Sequence, residues 1–453
     1  MGLSANLFYD SDNEVETLFS RVSLTKEQIE DARSKKDTLL EYLKPEMSSA
    51  LDVRVKHWLQ GSYKNHTLIR PARKGEEFDI DVGIYVLLNA EEEGLDASDV
   101  KGLNRQILEW FARNKPETQV DDSKSNCERL CYPSSFHIDV PLYYFDAESN
   151  ECKLATQDNG WVDSDPKALQ DWFDEKASKY DANQLARLRR VIKYLKAWTA
   201  LNSEDERAIP SIAITVLVAY YYSDFEDDDD AFIYTAIPIL EYILGNDTLP
   251  SPINGDDLLG FGADEREQLV SKAEALKNLC EFVKDTKDSI HQFVLWSGTF
   301  KYLFPPLSDQ IESLKQNTNL PAITTPPRIR IRHLNKSDVE QSNRVAEEVR
   351  VYRDEKLYFS LENADAYRHD AEVHWMVRNK DNEAKRFNDL GHTTVSSLHE
   401  ECFESCSYKG CHYMECLVLV GGEIAGIGSV RVRIAGFSRP VRNPPRKRYF
   451  KGR

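Results

Sequence analysis

Two strand-like runs separated by a helical segment constrain the fold of this chain more than any other feature of its sequence. The runs FDIDVGIYVLL (78–88) and SFHIDVPLYYF (135–145) are rich in β-branched and aromatic residues. Between them, LNRQILEWFARN (103–114) has the apolar spacing of a helix. Strands that alternate with helices indicate a mixed α/β layer in this part of the chain.

Helical patterns follow, from 167 to about 304. An apolar stripe at helical spacing runs through 183–202 and is formed by Leu185, Leu188, Ile192, Leu195 and Trp198. On a different face, Arg189, Lys193 and Lys196 follow one another at i, i+4 and i+7. This segment therefore predicts an amphipathic helix with a basic face.

Further helices are predicted at 211–222, 231–244 and 264–284. Near the start of the chain, Thr25 has the side chain of an N-cap residue and precedes another helical stretch. The acidic run 226–230 interrupts the helical pattern, and we expect it to be a solvated loop.

The composition changes again near the C-terminus. Prolines cluster within 305–330, which is typical of a linker. Beyond about 350, EVHWMVRN (372–379) and the run 412–436 alternate apolar and polar residues, and the second contains a Gly421-Gly422 turn. These patterns predict a small β domain.

The charge balance limits the partners of the protein. With 76 acidic and 58 basic side chains, the net charge is -18, which argues against non-specific affinity for duplex nucleic acid. Nucleotides are not excluded, because a bound metal ion can turn acidic residues into a phosphate site. The chain has no run near the ~20 apolar residues that cross a bilayer and no signal-peptide pattern. We expect a cytoplasmic protein without a membrane partner.

The strongest chemical signal is Gln60-Gly61-Ser62 followed by Asp79 and Asp81. In a strand, residues i and i+2 point the same way, so the two carboxylates project from one face. Carboxylates that lie this close repel each other unless a cation lies between them, and Mg²⁺ prefers carboxylate oxygens together with substrate phosphates. Gly61 and Ser62 suit a tight turn whose N–H groups and hydroxyl hold a phosphate.

A third carboxylate, Asp139, lies in the second strand-like run. Two-metal phosphoryl transfer places two cations about 3.5–4 Å apart, and three carboxylates can supply such a site. An Asp-x-Asp pair alone is more often a solvated strand edge. The combination with the Gly-Ser pair and Asp139 favours catalysis.

These segments resemble the CD-NTases, the bacterial cGAS/DncV-like members of the DNA polymerase β-like nucleotidyltransferases, which make cyclic oligonucleotides. The likeness runs from about 55 to 305 and includes GSYKNHTLIRPARKGEEFDIDVGIYV, SFHIDVPLYY, RLRRVIKYLKAW and IPSIAITVLVAYYY. It implies that Asp79, Asp81 and Asp139 bind two Mg²⁺ ions, with Mn²⁺ able to substitute. It also implies that Gly61 and Ser62 grip the triphosphate of an NTP.

In that family a lysine and a serine of the helical lobe also contact the donor nucleotide, and the matching residues are Lys196 and Ser211. The alternatives are a solvated helix face for Lys196 and an ordinary N-cap for Ser211. Gln60 could contact a base or ribose, or be a plain turn residue. Animal cGAS has a His/Cys zinc module, whereas only Cys152 lies in the corresponding stretch here. Together with the acidic charge, this departure excludes activation by double-stranded DNA.

The C-terminal part resembles the AGS-C domain, a proposed nucleotide sensor, through HWMVRNKDNEA, Gly391 and SYKGCHYMECLVL. The resemblance implies a nucleotide ligand for this domain. Four cysteines and a histidine here could bind zinc, but they lack paired C-x₂-C spacing, and alternation on a strand favours packing. The residues concerned are Cys402, Cys406, Cys411, His412 and Cys416.

We therefore expect an α+β protein with a polymerase β-like palm, a helical lobe and a small β-sandwich-like domain. Its parts would be a palm with an N-terminal helix (1–165), a helical lobe (166–310), a linker (311–350), an AGS-C-like domain (351–437) and a basic tail (438–453). The expected activity is synthesis of a cyclic oligonucleotide from NTPs with release of pyrophosphate, in bacterial anti-phage signalling. The alternatives are a linear or small-molecule nucleotidyltransferase and a catalytically silent nucleotide sensor.

Overall fold

A computed structural model gives the fold of the chain in two compact units, Met1–Pro305 and Pro306–Arg453. The residues that the structure describes are 3–12, 15–88, 95–122, 124–146, 149, 151–203, 209–286, 289–306, 325–421 and 423–436. Within these residues, no helix is both long enough and apolar enough to cross a membrane.

An eight-stranded sheet organises the first half of unit 1. Its strands are β1 (Arg54–Leu59), β2 (Phe78–Leu88), β3 (Gln119–Val120), β4 (Glu128–Tyr132), β5 (Phe136–Val140), β6 (Leu142–Asp146), β7 (Cys152–Thr156) and β8 (Gly160–Asp163). The long strand β2 pairs in parallel with β5 and β6 and antiparallel with β1. The predicted strand 135–145 is therefore interrupted at Pro141, since proline has no N–H for the ladder.

Two helices cover one face of this sheet. They are α3 (Lys26–Leu51), which begins after the predicted N-cap Thr25, and α5 (Ala97–Arg113), which lies between β2 and β5 in the chain. Ile80, Val82 and Ile84 of β2 pack in one core with Leu43 of α3 and Ile107 of α5. Because side chains alternate along a strand, the odd-numbered residues of β2 point to the opposite face.

The remaining helices of unit 1 include the predicted lobe. They are α1 (Leu3–Phe8), α2 (Leu18–Val22), α4 (Gly61–Lys64), α6 (Pro166–Ala177), α7 (Ala182–Leu201), α8 (Ser211–Tyr221), α9 (Asp228–Gly245), α10 (Ala263–Asp285) and α11 (Ser289–Phe300).

The acidic run 226–230 is not the solvated loop that we expected, because α9 begins within it. Asp228 is buried, and its carboxylate accepts hydrogen bonds from Arg190 at 2.6 and 2.7 Å and from the Tyr194 hydroxyl at 2.7 Å. A carboxylate with this many donors tolerates burial.

Unit 2 consists of two sheets around one core. The strands are β9 (Ile329–Leu334), β10 (Glu340–Val345), β11 (Glu348–Tyr352), β12 (Lys356–Leu361), β13 (Glu372–Asn379), β14 (Gly391–Ser397), β15 (Cys402–Ser405), β16 (Gly410–Val420) and β17 (Glu423–Ala435), with α12 (Asn382–Arg386) after β13. One sheet has the order β10-β9-β12-β15 and the other has the order β11-β17-β16-β13-β14. Ile331 and Phe359 of the first sheet pack in the same core as Trp375 and Val432 of the second. The α+β class with a β-rich C-terminal part is thus confirmed.

The expected linker, 311–350, is wrong in its second half. Three strands, β9, β10 and β11, begin within this range, and Ile329 and Ile331 are buried in the core. The start of the β domain was missed because the alternating run IRIRHL (329–334) follows directly after the prolines of 305–330. The first part of the expected linker, 311–324, and the basic tail, 438–453, lie outside the described residues.

Candidate active site

Strand pairing brings the three predicted carboxylates to one region of the sheet. In the parallel pair of β2 and β5, Asp81 is the register partner of Asp139, and Asp79 lies two residues earlier on β2. Register partners on adjacent strands point to the same face, so all three carboxylates project away from the helix-covered face. The neutral apolar residues between them, such as Ile80 and Ile138, are fully buried on the other face.

The electrostatics of Asp81 reflect its buried position beside two other carboxylates. Burial, together with the negative charges of Asp79 and Asp139, raises the pKa of Asp81 to about 7. Arg129 and Lys196 oppose this shift. The negative charge of the three carboxylates is therefore only partly compensated by Arg129 and Lys196. Such an excess of negative charge favours the binding of a cation.

The third carboxylate, Asp139, forms an ion pair with Arg129. The Arg129 side chain donates from Nε to Asp139 Oδ1 at 2.5 Å and from Nη2 to Asp139 Oδ2 at 2.7 Å. Within the described residues, no three His, Cys, Asp or Glu side chains converge closely enough to hold a metal ion. The oxygen ligands suit Mg²⁺, but Asp139 could join Asp79 and Asp81 as a ligand only by sharing or leaving Arg129.

Arg129 is the site residue that sequence reasoning missed. It lies in β4, which pairs antiparallel with β5 and places Arg129 opposite Asp139. The turn Pro133-Ser134-Ser135 and the alternation of Leu130 and Tyr132 could have predicted this hairpin.

The Gly61-Ser62 turn lies directly over Asp81. The Gln60 N–H donates to the Asp81 carbonyl at 3.1 Å, which fixes the turn to the sheet. Gly61 has φ +61, and a Cβ atom at this position would clash with Asp81 Oδ2. Only glycine satisfies both conditions, because it tolerates positive φ and allows the backbone to approach the carboxylate.

The side chain of Gln60 faces the sheet and makes two contacts there. Its Nε2 donates to the Tyr85 hydroxyl at 2.6 Å, and its Oε1 accepts from the Tyr143 hydroxyl at 3.4 Å. The two tyrosine rings stack at 4.8 Å between centroids. At Gly83, a Cβ atom would clash with Gln60 Nε2. These contacts make Gln60 an anchor of the turn.

Lys196 is buried, so the alternative of a solvated helix face is wrong. Its side chain is 5% exposed, and Nζ lies 3.3 Å from the Thr67 carbonyl and 3.4 Å from Thr67 Oγ1. Burial lowers its pKa to about 8, although the carboxylates of Asp79 and Asp81 oppose the shift. A buried ammonium group with neutral oxygen partners favours an anionic ligand.

Ser211 is the first residue of α8, whereas Pro210 occupies the N-cap position, so the N-cap alternative is also wrong. Ser211 is exposed and lines a cleft of about 700 Å³. The same cleft is lined by Gln60, Gly61, Ser62, Asp79, Asp81 and Lys196. Asp139 adjoins the cleft through Asp81 without lining it. The volume of the cleft lies within the usual range for small-molecule sites.

In unit 2, the candidate zinc ligands other than the half-buried Cys411 are buried side chains. Cys402, Cys406, His412 and Cys416 are all buried, and Met414 lies beside them. Burial lowers the pKa of His412 to about 4. The convergence of ligands that zinc requires is missing from the described residues here too.

The chain is similar to known proteins over both of its units. The model of the Cyclic GMP-AMP synthase DncV-like nucleotidyltransferase domain matches residues 55–143. The model of the Adenylyl/Guanylyl and SMODS C-terminal sensor domain matches residues 309–435, and thus includes the whole of the expected linker, 311–350. A cyclic GMP-AMP synthase of Escherichia albertii is 33% identical over 446 residues, which cover 98% of each protein. A c-di-GMP synthase of Roseivirga ehrenbergii is 25% identical over 56% of this chain and 74% of its own.

Solved structures show the same fold. The DncV cyclic AMP-GMP synthase of Vibrio cholerae, in complex with the linear intermediate 5′ pppA(3′,5′)pG, aligns with a TM-score of 0.56 and 17% identity. The alignment covers 68% of this chain and 97% of that one. Escherichia coli DncV in its 3′-deoxy GTP bound form aligns with a TM-score of 0.55 and 19% identity over 66% and 96%. Both resemblances stated from the sequence are confirmed.

Proposed function

We propose that this protein is a Mg²⁺-dependent synthase of a cyclic oligonucleotide from NTPs. The proposal starts from its family, because the chain belongs to the DncV-like nucleotidyltransferases (the CD-NTases). One observation carries the proposal: Asp79 and Asp81, the Gly61-Ser62 turn and Lys196 meet in a single cleft, with Asp139 beside Asp81. This set combines carboxylates for metal ions with donors for phosphates, which is the equipment of phosphoryl transfer.

The residues of the candidate site form two groups, one for metal ions and one for the substrate. Asp79, Asp81 and Asp139 would hold two Mg²⁺ ions, which Mn²⁺ could replace. When bound, such ions lower the pKa of a ribose hydroxyl and neutralise charge on the triphosphate. Arg129 keeps the Asp139 carboxylate oriented beside Asp81. The raised pKa of Asp81 supports this assignment, because a divalent cation would offset both the burial of this carboxylate and its repulsion by Asp79 and Asp139.

The second group consists of donors to the substrate. The Gly61-Ser62 backbone and hydroxyl, Lys196 and Ser211 would hold the triphosphate and so place its α-phosphorus at the carboxylates. An apolar wall that includes Trp172 and Ile212 lines the same cleft and offers a surface for a nucleobase. A ribose hydroxyl would then attack the α-phosphorus: a new O–P bond forms, the hydroxyl proton passes to water, and pyrophosphate leaves with the electrons of the broken P–O bond. A second such step within the linear intermediate closes the ring.

The decisive experiment is product identification. The full-length protein is incubated with Mg²⁺ and all four NTPs, singly and in pairs, and the products are treated with phosphatase and analysed by mass spectrometry. We expect a phosphatase-resistant species whose mass equals the sum of its nucleoside monophosphates minus one water for each phosphodiester bond, with as many such bonds as nucleotides. A linear product would place the chain among the linear nucleotidyltransferases, and no product would favour a silent sensor. The matched control is a variant with Asp79 and Asp81 both changed to Ala.

The regulatory part of the proposal concerns unit 2. Its match to a sensor domain supports a nucleotide or oligonucleotide ligand that binds one state of the protein more tightly than another. We also infer that the protein serves bacterial anti-phage signalling without activation by double-stranded DNA, as its family resemblance and net charge of -18 suggest.

A further inference from the structure

Two neighbouring loops of unit 2 present a stacked pair of aromatic rings. Phe387 directly follows α12, and Tyr408 lies in the loop between β15 and β16. The two ring centres are 5.6 Å apart, and the ring planes are inclined by 25°. Phe387 is 53% exposed, although leaving so much apolar surface in water costs free energy. The pair is therefore a flat apolar surface that a ligand can reach.

Polar contacts hold the two loops against each other. The Cys411 N–H donates to Asp381 Oδ2 at 2.6 Å, and the Lys409 N–H donates to Glu383 Oε2. Gly410 has φ +135, and a Cβ atom at this position would clash with the Asp381 side chain. The close approach of the two loops thus requires glycine at position 410. The aromatic pair lies on this fixed support.

A basic side chain flanks the aromatic pair on each loop. Arg386 comes directly before the first ring in the sequence, Lys409 comes directly after the second, and both are exposed. Neither forms an ion pair with any residue that the structure describes. The Glu383 carboxylate, which accepts from the Lys409 backbone, is already paired with Arg353. In a chain with 76 acidic and 58 basic residues, two unpaired cations at one surface favour an anionic ligand.

The two loops also contain the sequence stretches through which the C-terminal part resembles the AGS-C domain. Asp381 and Glu383 belong to HWMVRNKDNEA (374–384), and Tyr408 and Lys409 belong to SYKGCHYMECLVL (407–419). The resemblance by itself does not say which surface of unit 2 a nucleotide would contact. The structure joins the two stretches at the aromatic pair, which directs attention to this surface.

We propose that Phe387, Tyr408, Arg386 and Lys409 form a nucleotide-binding site of unit 2. A nucleobase stacks on Phe387, and its phosphates bind the two basic side chains. The inference rests on the proposed function, because that function gives unit 2 a nucleotide or oligonucleotide ligand. An aromatic ring can stack any base, and neighbouring cations bind the phosphates, so this combination suits a nucleotide better than a neutral apolar ligand.

The test compares ligands that contain the base, the phosphates or both. The probes are ATP, the dinucleotide pApA, adenosine and inorganic triphosphate, and calorimetry measures their affinity for the full-length protein. This parent protein carries Asp79→Ala and Asp81→Ala, and Mg²⁺ is absent. The cleft of unit 1 then neither consumes the probes nor holds them through metal ions. We expect the parent protein to bind ATP and pApA.

Phe387→Ala should weaken the binding of ATP and pApA by about tenfold or more, which is the effect of losing one base–aromatic stack. Inorganic triphosphate should bind within about twofold of the parent, because it has no base to stack. Phe387→Trp supplies a larger ring and should retain the affinity for ATP. Arg386→Gln and Lys409→Gln should each weaken ATP and inorganic triphosphate by about threefold, as expected for an exposed ion pair, and leave adenosine unchanged.

Two matched controls make the result specific. Phe403→Ala removes a ring that is 50% exposed on the other sheet of unit 2 and should leave all affinities unchanged. Lys336→Gln removes an equal charge from another exposed position of unit 2 and should also have no effect. Because Phe387 is exposed, its replacement should leave the thermal unfolding of the protein close to that of the parent.

Equal affinity of Phe387→Ala and its parent for ATP and pApA would overturn the site, and so would failure of the parent to bind any probe. An equal loss in Phe403→Ala would overturn it as well. A changed oligomeric state of Phe387→Ala in sedimentation, with unchanged nucleotide affinity, would assign the rings to a contact between copies of the chain. The readout is binding, so it is independent of catalysis. A wild-type protein that makes no cyclic product, while Phe387→Ala loses affinity for ATP, would refute the proposed synthase and leave this site standing.

Discussion

Arg129 and Asp139 face each other across the β4–β5 hairpin and are joined by two hydrogen bonds of 2.5 and 2.7 Å. The arginine thereby determines where the third carboxylate of the candidate active site points. Asp139 is the partner of Asp81 on the next strand, so its orientation decides whether the three carboxylates can serve one reaction centre.

Arg129→Lys is expected to lower kcat by about tenfold, with a smaller effect on the KM for NTP, since groups that orient metal ligands contribute about this much. A lysine keeps the charge but cannot hold both carboxylate oxygens in a planar fork. The measurement is steady-state pyrophosphate release over a range of Mg²⁺ concentrations. A wild-type kcat in this variant would show that the bidentate contact of Arg129 is not needed to orient the Asp139 carboxylate.

Changing Asp79 and Asp81 together to Ala should reduce product formation to background while the protein remains folded. The double variant removes ligands for the metal ions and also removes the repulsion that contributes to the raised pKa of Asp81. Thermal unfolding of the metal-free protein should therefore occur at an equal or higher temperature than in wild type. Near-normal turnover with Mg²⁺ or Mn²⁺ would refute the assignment of the site.

Gly83→Ala tests the anchoring of the phosphate-binding turn. The new methyl group would displace the Gln60 side chain from its place beside Tyr85, and the Gly61-Ser62 turn would lose its attachment. We expect the KM for NTP to rise roughly tenfold or more, because small displacements of positioning groups have large kinetic effects. Tyr85→Phe removes only the hydrogen bond and should have a weaker effect of the same kind. Equal kinetics in all three proteins would make Gln60 a plain turn residue.

The buried His412 makes the stability of unit 2 depend on pH. Burial holds its pKa near 4, below the 6.5 of a free histidine, so the folded state excludes a proton that the unfolded chain accepts. Its contribution to stability is complete above about pH 6.5 and is lost as the pH falls towards 4, by about 3 kcal/mol in all. His412→Gln has no such titration, so its melting temperature should fall less than that of wild type between pH 7 and 4.5. Parallel curves would contradict this prediction.

Truncation after Pro306 separates the two units without cutting any strand of the described residues. Every residue assigned to the candidate site lies before this point, so the fragment 1–306 should fold and retain the chemistry. If unit 2 acts as a sensor, turnover should differ between the fragment and the full chain, and nucleotides should raise the melting temperature of the fragment 307–453. Identical turnover together with no thermal response would leave unit 2 without a regulatory role.

The sequence by itself determined several helices and strands of unit 1 and the face on which two carboxylates lie. Alternation in 78–88 placed Asp79 and Asp81 on one face, because the period of a strand is a local property of the backbone. The apolar stripe of α7 and the N-cap at Thr25 were readable for the same reason, since helical periodicity and capping involve residues within one or two turns.

Tertiary structure decided what lies next to these elements. The pairing of Arg129 with Asp139, the burial of Asp228 on Arg190 and the contact of Lys196 with Thr67 join residues that are 10, 38 and 129 positions apart. Charge patterns along the chain cannot distinguish a solvated acid from a buried partner, because the difference lies in what packs against it. The strands inside the expected linker were missed for a related reason: a short alternating run becomes a strand only when a neighbouring strand supplies its hydrogen bonds.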